Sequence, residues 1–359
     1  MPISRDTLRG YILEEVLAYL TKNAGYDLLV DYRQDRRELT RIGAGLAVKG
    51  RGAVHQADVL GELRWIPAFT FPIRLFVEAK FHEKRKTGIG VVSNAVGVVL
   101  DVNQNNMPTI EDRRPLRKFQ YAYAIFSTTG FSLPAHAMAV AHQISLIDMS
   151  GPEYSRLRGQ ISSIADSVSE PVKAARDFVP SMRHALRTEL GTIPGDVDDL
   201  GLDESIDIQL VTTISQASRP AIRDITTERE LFVGMANGPY MLLLKSRSPE
   251  EFLRYASERP RHRVTIHWST EYDRARTWVI QPTDDQAAYS LEFRVPRNIY
   301  RWVFEAGRDA RLEARRMKRR FFSSISIYRR DQRQDKIFRL EYDPTVAPRH
   351  IYPEDHRNP

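Results

Sequence analysis

Asp58, Glu78 and Lys80 are the residues whose types and spacing could do chemistry. Glu78 and Lys80 stand two apart in the run Ile73-Arg74-Leu75-Phe76-Val77-Glu78-Ala79-Lys80-Phe81. In a strand, that spacing puts both side chains on one face, while Val77, Ala79 and Phe81 pack on the other. Asp58 precedes them in a second strand-like run, His55-Gln56-Ala57-Asp58-Val59-Leu60. If the two runs pair, two carboxylates and an ammonium converge. Hard oxygen donors suit Mg²⁺ or Mn²⁺, and a neighbouring lysine can steady a phosphate or an attacking water. Such a set can hydrolyse a phosphodiester. A Glu-x-Lys pair is also an ordinary surface salt bridge. The apolar strand around it argues for more, because charge in a central strand is costly without a purpose.

The elements that must position these residues follow from pattern. Residues 7–24 read as an amphipathic helix, with Leu13, Val16 and Leu17 on its apolar side and Asn23-Ala24-Gly25 as its stop. A strand is predicted at 26–32. Gly43, Gly45, Gly50 and Gly52 then mark a loop leading to the strand of Asp58. A helix over 88–103, a strand at 121–126, a helix at 134–142 and a strand at 144–148 complete a mixed α/β sheet. Residues 151–190 read as helical, and the acidic stretch 191–207 as a solvated linker.

From about 206 the pattern turns toward β. Runs at 208–214, 231–235, 240–245 and 264–268 read as strands, with Asn237-Gly238 as a hairpin turn. A helix over 298–320 carries Arg308, Arg311, Arg315 and Arg319 on one stripe, and an apolar stripe that includes Ala314, Met317 and Phe321. Strands at 321–328 and 336–342 follow. The predicted organisation is 1–150 for the candidate site, 151–205 for a helical connector and acidic linker, and 206–359 for a β-rich α+β domain.

The chain has 359 residues, 42% of them hydrophobic, and a net charge of +7. That balance favours a polyanionic partner without requiring one. Cysteine is absent, which excludes disulfides, thiolate metal sites and cysteine nucleophiles. No run approaches the ~18 apolar residues of a membrane helix, and no signal segment is evident. A soluble, cytoplasmic protein with no membrane partner is expected.

Residues 8–150 also resemble the Mrr-type restriction endonuclease domain of the PD-(D/E)-x-K nuclease superfamily. The resemblance lies in four ordered pieces. They are Gly10-Tyr11-Ile12-Leu13-Glu14-Glu15 with Gly25-Tyr26; Gly52-Ala53-Val54-His55-Gln56-Ala57-Asp58 with Leu60-Gly61; Val77-Glu78-Ala79-Lys80; and Ile125-Phe126-Ser127-Thr128-Thr129-Gly130-Phe131-Ser132 running on to Ile144-Ser145-Leu146-Ile147-Asp148. It implies a restriction-endonuclease-like mixed central sheet flanked by helices. It also implies a Mg²⁺- or Mn²⁺-dependent DNA endonuclease of restriction or anti-phage defence. Asp58 and Glu78 would be metal ligands, and Lys80 would orient water and stabilise phosphate charge. Glu14, or Glu15 one step away, would be the acidic residue of the first helix. Gln56 would reach metal-bound water or the scissile phosphate. Where many relatives have a glycine-rich run before the aspartate, this chain has His55-Gln56-Ala57. His55 should face away from Asp58 as a hydrogen-bonded packing residue.

For DNA contacts the candidates are Lys49, Arg51, Lys84, Arg85 and Lys86 near the site, and the arginine stripe of the C-terminal helix. The resemblance further implies a homodimer and partner proteins of a defence system. Two other readings stay open: a non-catalytic DNA-binding or sensor module on a nuclease scaffold, and a nuclease for branched DNA or RNA.

Overall fold

The computed structural model describes residues 3–43, 45–65, 70–105, 119–173, 175, 178–193, 205–237, 240–268, 277–295, 310–330 and 335–346. The chain is mixed α/β, with eight α-helices among the described residues, a five-stranded sheet, a three-stranded sheet and a closed seven-stranded barrel.

Helix α1 (Arg5–Asn23) begins where the Ser4 hydroxyl accepts from the Thr7 amide, a side-chain cap for an otherwise orphaned donor. Its apolar side buries Leu13, Val16 and Leu17 against the sheet. Strand β1 (Tyr26–Leu29) is shorter than predicted, because a 3-10 turn at Tyr32–Asp35 follows it. The glycine-marked loop is itself structured. Strands β2 (Leu39–Ile42), β3 (Gly45–Lys49) and β4 (Val54–Gln56) form the small antiparallel sheet, with Gly43 at positive φ (58°) in its first turn.

The main sheet runs β1, β5 (Val59–Leu63), β6 (Ile73–Lys80), β7 (Gln120–Ser127), β8 (Ser145–Asp148). The first three strands are antiparallel neighbours, and β6, β7 and β8 are parallel. Parallel pairing needs crossovers, which α2 (Ile89–Asn105) and α3 (Leu133–Ala141) supply. The sheet buries apolar side chains on both faces. Val77 and Ala79 pack toward α1, and Leu60, Phe76 and Ile125 toward α2 and α3.

Helices α4 (Ser155–Lys173) and α5 (Val179–Leu190), predicted as a connector, pack on α1 and share one apolar core with it and the sheet. The strand predicted at 208–214 is instead the start of a helix, α6 (Ile208–Glu228). Asp207 caps it by accepting from the Gln209 and Leu210 amides at 2.9 and 3.1 Å. Thr212 and Thr213 turn their hydroxyls back onto the carbonyls of Ile208 and Gln209.

The barrel follows. Its strands are β9 (Leu231–Ala236), β10 (Met241–Ser246), β11 (Arg261–Trp268), β12 (Thr277–Pro282), β13 (Leu291–Arg294), β14 (Ser324–Arg330) and β15 (Asp335–Tyr342). Parallel pairing of β11 with β15 and antiparallel pairing of β14 with β9 close the ring. Helix α7 (Pro249–Glu258) places Phe252 in the barrel core. Helix α8 (Ala310–Phe321) adds Ala314 and Met317 to that core. The predicted positions 298–309 of this last helix lie outside the described residues. No described helix is long and apolar enough to cross a membrane.

Candidate active site

The site forms at the end of β6. The last registered pair of β5 and β6 is Val59↔Val77, so one further step sets Asp58 beside Glu78. Asp58 is not inside a strand as predicted. It occupies the break between β4 and β5, where the chain passes from the small sheet to the large one. There its Oδ2 accepts from the Ala79 amide at 2.9 Å, which fixes the carboxylate against the strand that carries Glu78.

Glu78 is largely buried and engaged at both oxygens. The Tyr123 hydroxyl donates to Oε2 at 2.8 Å, and the Lys80 ammonium lies 2.7 Å from Oε1. Tyr123 reaches it because Glu78 is registered opposite Ile125, making Tyr123 the diagonal neighbour on the same face. Burial and the Glu78 charge together push the Tyr123 hydroxyl far above its usual pKa, so it stays a donor. Burial works to lower Lys80, but the carboxylates of Glu78, Asp58 and Glu14 outweigh it and hold the ammonium charged. Burial raises Asp58, with Glu78 adding to the rise, while the Ala79 amide and Lys80 oppose it.

Glu14 joins the cluster from α1. Burial pushes its carboxyl up to about 7; Arg183 pulls it down, and the Asp58 charge pushes it further up. Its neighbour Glu15 plays a different part. Its side chain is 2% exposed and accepts from Arg183 at 2.5 Å and from Arg187 Nε at 2.9 Å. Burial alone would raise Glu15, yet the two guanidinium groups lower it below the usual range. Arg183 also binds Glu14, so this one arginine of α5 bridges both acids of α1. Of the two acids left open by the sequence, Glu14 is the one coupled to Asp58, and Glu15 is the one committed to arginines.

Gln56 and Asp58 line the same cavity of about 230 Å³, together with Arg183 and Arg187. His55 turns away, as predicted, and its Nε2 lies 2.7 Å from Asp101 Oδ2. Asp101 also accepts from the Gly52 and Ala53 amides at 2.8 and 3.1 Å. Gly50 is required here, since a Cβ at that position would fall 1.9 Å from Asp101 Oδ2. Helix α2 thereby holds the turn that feeds Asp58 into place.

Among the described residues, no group of three or more His, Asp or Glu side chains makes a ready cation centre. The donor set is two carboxylates held side by side, with a third acid within electrostatic reach. Mg²⁺ fits such a set, because it commonly takes one or two carboxylates and completes its shell with water and substrate phosphate. Burial is the main cause of the raised pKa of Asp58 and of Glu14, and the facing carboxylates add a smaller repulsion; a bound cation would offset both.

Comparison with protein-family models and with curated proteins returns no match. Among solved structures, the chain is similar to the crystal structure of AF1548, a protein of unknown function. The identity is 18%, over 61% of this chain and 97% of that one, with a TM-score of 0.33.

The structure thus brings together Asp58, Glu78, Lys80 and Glu14, while Gln56 shares with Asp58 a cavity that the other three do not line. The predicted DNA contacts lie on separate loops and elements. Lys84, Arg85 and Lys86 are exposed in the loop after β6. Lys49 donates to the Arg36 carbonyl at 2.8 Å and so ties down a turn. Arg51 is exposed and meets Gln104 at 3.4 Å. Arg315 and Arg319 are exposed on the barrel helix; Arg308 and the side chain of Arg311 lie outside the described residues.

Sequence reasoning missed Tyr123, Arg183 and Arg187. Tyr123 could be found only from the β6–β7 register. The arginine pair did leave a trace, since cations at i and i+4 on a helix are a natural complement to the adjacent acids Glu14 and Glu15.

Proposed function

We propose that this chain is a metal-dependent endonuclease that hydrolyses phosphodiester bonds of DNA, in restriction or anti-phage defence. The carrying observation is that Asp58, held on the Ala79 amide, and Glu78, flanked by Lys80 and Tyr123, converge at one strand end. Asp58 and Glu78 would hold Mg²⁺ or Mn²⁺. Such an ion, when bound, would polarise the scissile phosphate and ease deprotonation of a water.

The protein's own groups have separable roles. Tyr123 fixes the Glu78 carboxylate by a hydrogen bond, so the acid cannot rotate away. Lys80 keeps its positive charge beside three acids and is placed to stabilise negative charge that grows on a phosphate oxygen. Gln56, in the cavity with Asp58, offers an amide for the phosphate or its water. The mixed sheet flanked by helices accords with the restriction-endonuclease resemblance, which also supplies the expectation of a homodimer and of defence partners. Glu14 remains within electrostatic reach as an auxiliary acid.

Plasmid and linear DNA incubated with the full chain and Mg²⁺ or Mn²⁺ test this reading. Wild type should nick and linearise plasmid, and chelation should stop it. Asp58→Ala and Lys80→Ala should each lower the rate at least ~10²-fold. Absent cleavage by wild type, or cleavage that survives both substitutions, overturns the assignment.

A further inference from the structure

A second cleft, of about 1010 Å³, opens between the barrel and the far ends of α1 and α5. Its walls carry six cationic side chains, Lys22, Arg64, Arg229, Arg329, Arg330 and Lys336, against two carboxylates, Glu189 and Asp335. Arg329 and Arg330 follow the basic helix in the sequence, but the other four come from separate elements and loops that no local pattern joins to them. Only the fold gathers them.

Three features set this cleft apart from an ordinary charged surface. First, like charges are held close. Lys22 donates to the Gly191 carbonyl at 2.5 Å, and its pKa is lowered by burial and then by Arg330. Second, the acids nearby are shared rather than matched. Asp27 meets both Arg64, at 3.2 Å, and Arg330, at 3.3 Å, while Arg64 also reaches Asp335 at 3.1 Å. Third, Arg229 ends α6 in the left-handed region, at φ 47° and ψ 29°. Glycine or asparagine takes that conformation at far lower cost. A strained non-glycine residue whose side chain lines a cationic cleft is the kind of outlier that accompanies a site.

We infer that this cleft binds the phosphodiester backbone of the nucleic acid presented to Asp58 and Glu78. The choice of ligand rests on the phosphodiesterase reading of that pair. The cleft is large and lined mainly by charged and polar groups, unlike the apolar enclosed pockets that take small molecules. It also lies along the same helices as the candidate active site. Glu15, Arg183 and Arg187 face the first cavity, and Lys22 and Glu189 the second. Eight residues separate Glu14 from Lys22, about 12 Å at ~1.5 Å per helical residue, or three to four base-pair steps of roughly 3.4 Å. The two sites are thus set a few base-pair steps apart along the axis of α1.

The test is binding, not cleavage. Anisotropy of a fluorescein-labelled DNA duplex is measured with the full chain in EDTA over a salt series. Each backbone phosphate contact contributes about 0.9 to the slope of log affinity against log salt. Arg229→Gly should lower the slope by about one while leaving Tm unchanged or higher, since glycine relieves the left-handed strain. The pair Lys22→Gln and Arg330→Gln should lower it by about two and weaken binding at least tenfold. Charge-keeping Lys22→Arg with Arg330→Lys should retain the wild-type slope. Wild-type slopes in both neutralising variants, or equal loss in the charge-keeping pair, overturn the inference. So does displacement of the duplex by equimolar pyrophosphate, which would assign the cleft to a small anion. Should wild type bind DNA through this cleft yet never cut it, the nuclease reading alone fails. Should it cut DNA while the variants bind normally, the cleft assignment alone fails.

Discussion

Glu14 shows how a residue is tuned by what it faces. Its carboxyl stands at about 7 in the folded chain against 4.5 unperturbed, chiefly through burial, with Asp58 adding to the rise and Arg183 opposing it. The consequence for stability has a definite sign. Between these two values the unfolded chain binds fewer protons than the folded one, so stability falls as pH rises. The penalty is absent below about 4.5, complete above about 7, and on the order of 3 kcal/mol. Glu14→Gln cannot ionise. Urea midpoints of wild type and variant should therefore diverge in the variant's favour from pH 5 to pH 8, and parallel curves across that range would refute the coupling. Glu78 and Lys80 were legible in the sequence because strand periodicity alone aligns a Glu-x-Lys pair, whereas Asp58 was read into a strand and sits in the break before β5. Tyr123 was not legible, because its hydrogen bond to Glu78 depends on a pairing register between strands 45 residues apart. The division of labour between Glu14 and Glu15 was equally hidden, since it is imposed by two arginines on another helix.

At the scale of elements, α5 holds α1 by charge as well as by apolar contact. Removing Arg183 leaves Glu14 without the guanidinium that lowers it and leaves Glu15 with Arg187 alone. Breaking a buried pair from one side typically costs ~3–5 kcal/mol, because an uncompensated charge stays inside. Arg183→Met should lower the urea midpoint accordingly, and adding Glu14→Gln should recover part of the loss. A double variant that is strictly additive would show that the two groups do not interact. The Gly50–Ala53 turn depends likewise on α2. Asp101→Ala strips acceptors from two amides and from His55, a loss of ~1–3 kcal/mol. Because that turn leads directly to Asp58, cleavage should fall as well, with the larger effect on kcat. Loss of stability with unaltered kinetics would separate the turn from the site. The helices and strands over residues 5–148 were largely readable from periodicity. The helix at 208–228 was misread because Ile208, Val211, Thr212, Thr213 and Ile214 favour strands intrinsically. The Asp207 cap and the back-bonded threonines decide otherwise.

At the scale of the molecule, the barrel could not have been read from local pattern. Its closure needs β11 to lie parallel to β15, a pairing between residues 261–264 and 339–342 that no neighbouring segment announces. Its relation to the sheet was equally concealed. One apolar core runs from α1 and the sheet through α4, α5 and α6 to Val233, Met241 and Leu243 of the barrel. Polar contacts follow the same path. Tyr154 donates to the Leu243 carbonyl at 2.6 Å, Ser145 accepts from the Met241 amide at 3.1 Å, and Arg294 pairs with Glu153 at 2.8 Å. The outer strand β8 thereby meets β10 at Ser145, and on the opposite edge Tyr26 of β1 meets Met235. A fragment ending at residue 150 would lose Leu157, Ile161, Ile164, Val168, Met182 and Leu186 from that core. At ~1.5–3 kcal/mol for each large side chain, the deficit reaches the whole stability of an ordinary domain, ~5–15 kcal/mol. The fragment carries every group of the candidate active site except Arg183 and Arg187, yet it should bind a hydrophobic dye, lack a cooperative melt and leave DNA uncut. The full chain should melt with sheet and barrel together, so that tryptophan fluorescence and far-ultraviolet circular dichroism report one transition. A fragment that melts cooperatively and cleaves DNA would show that the sheet stands alone and that the barrel is an accessory.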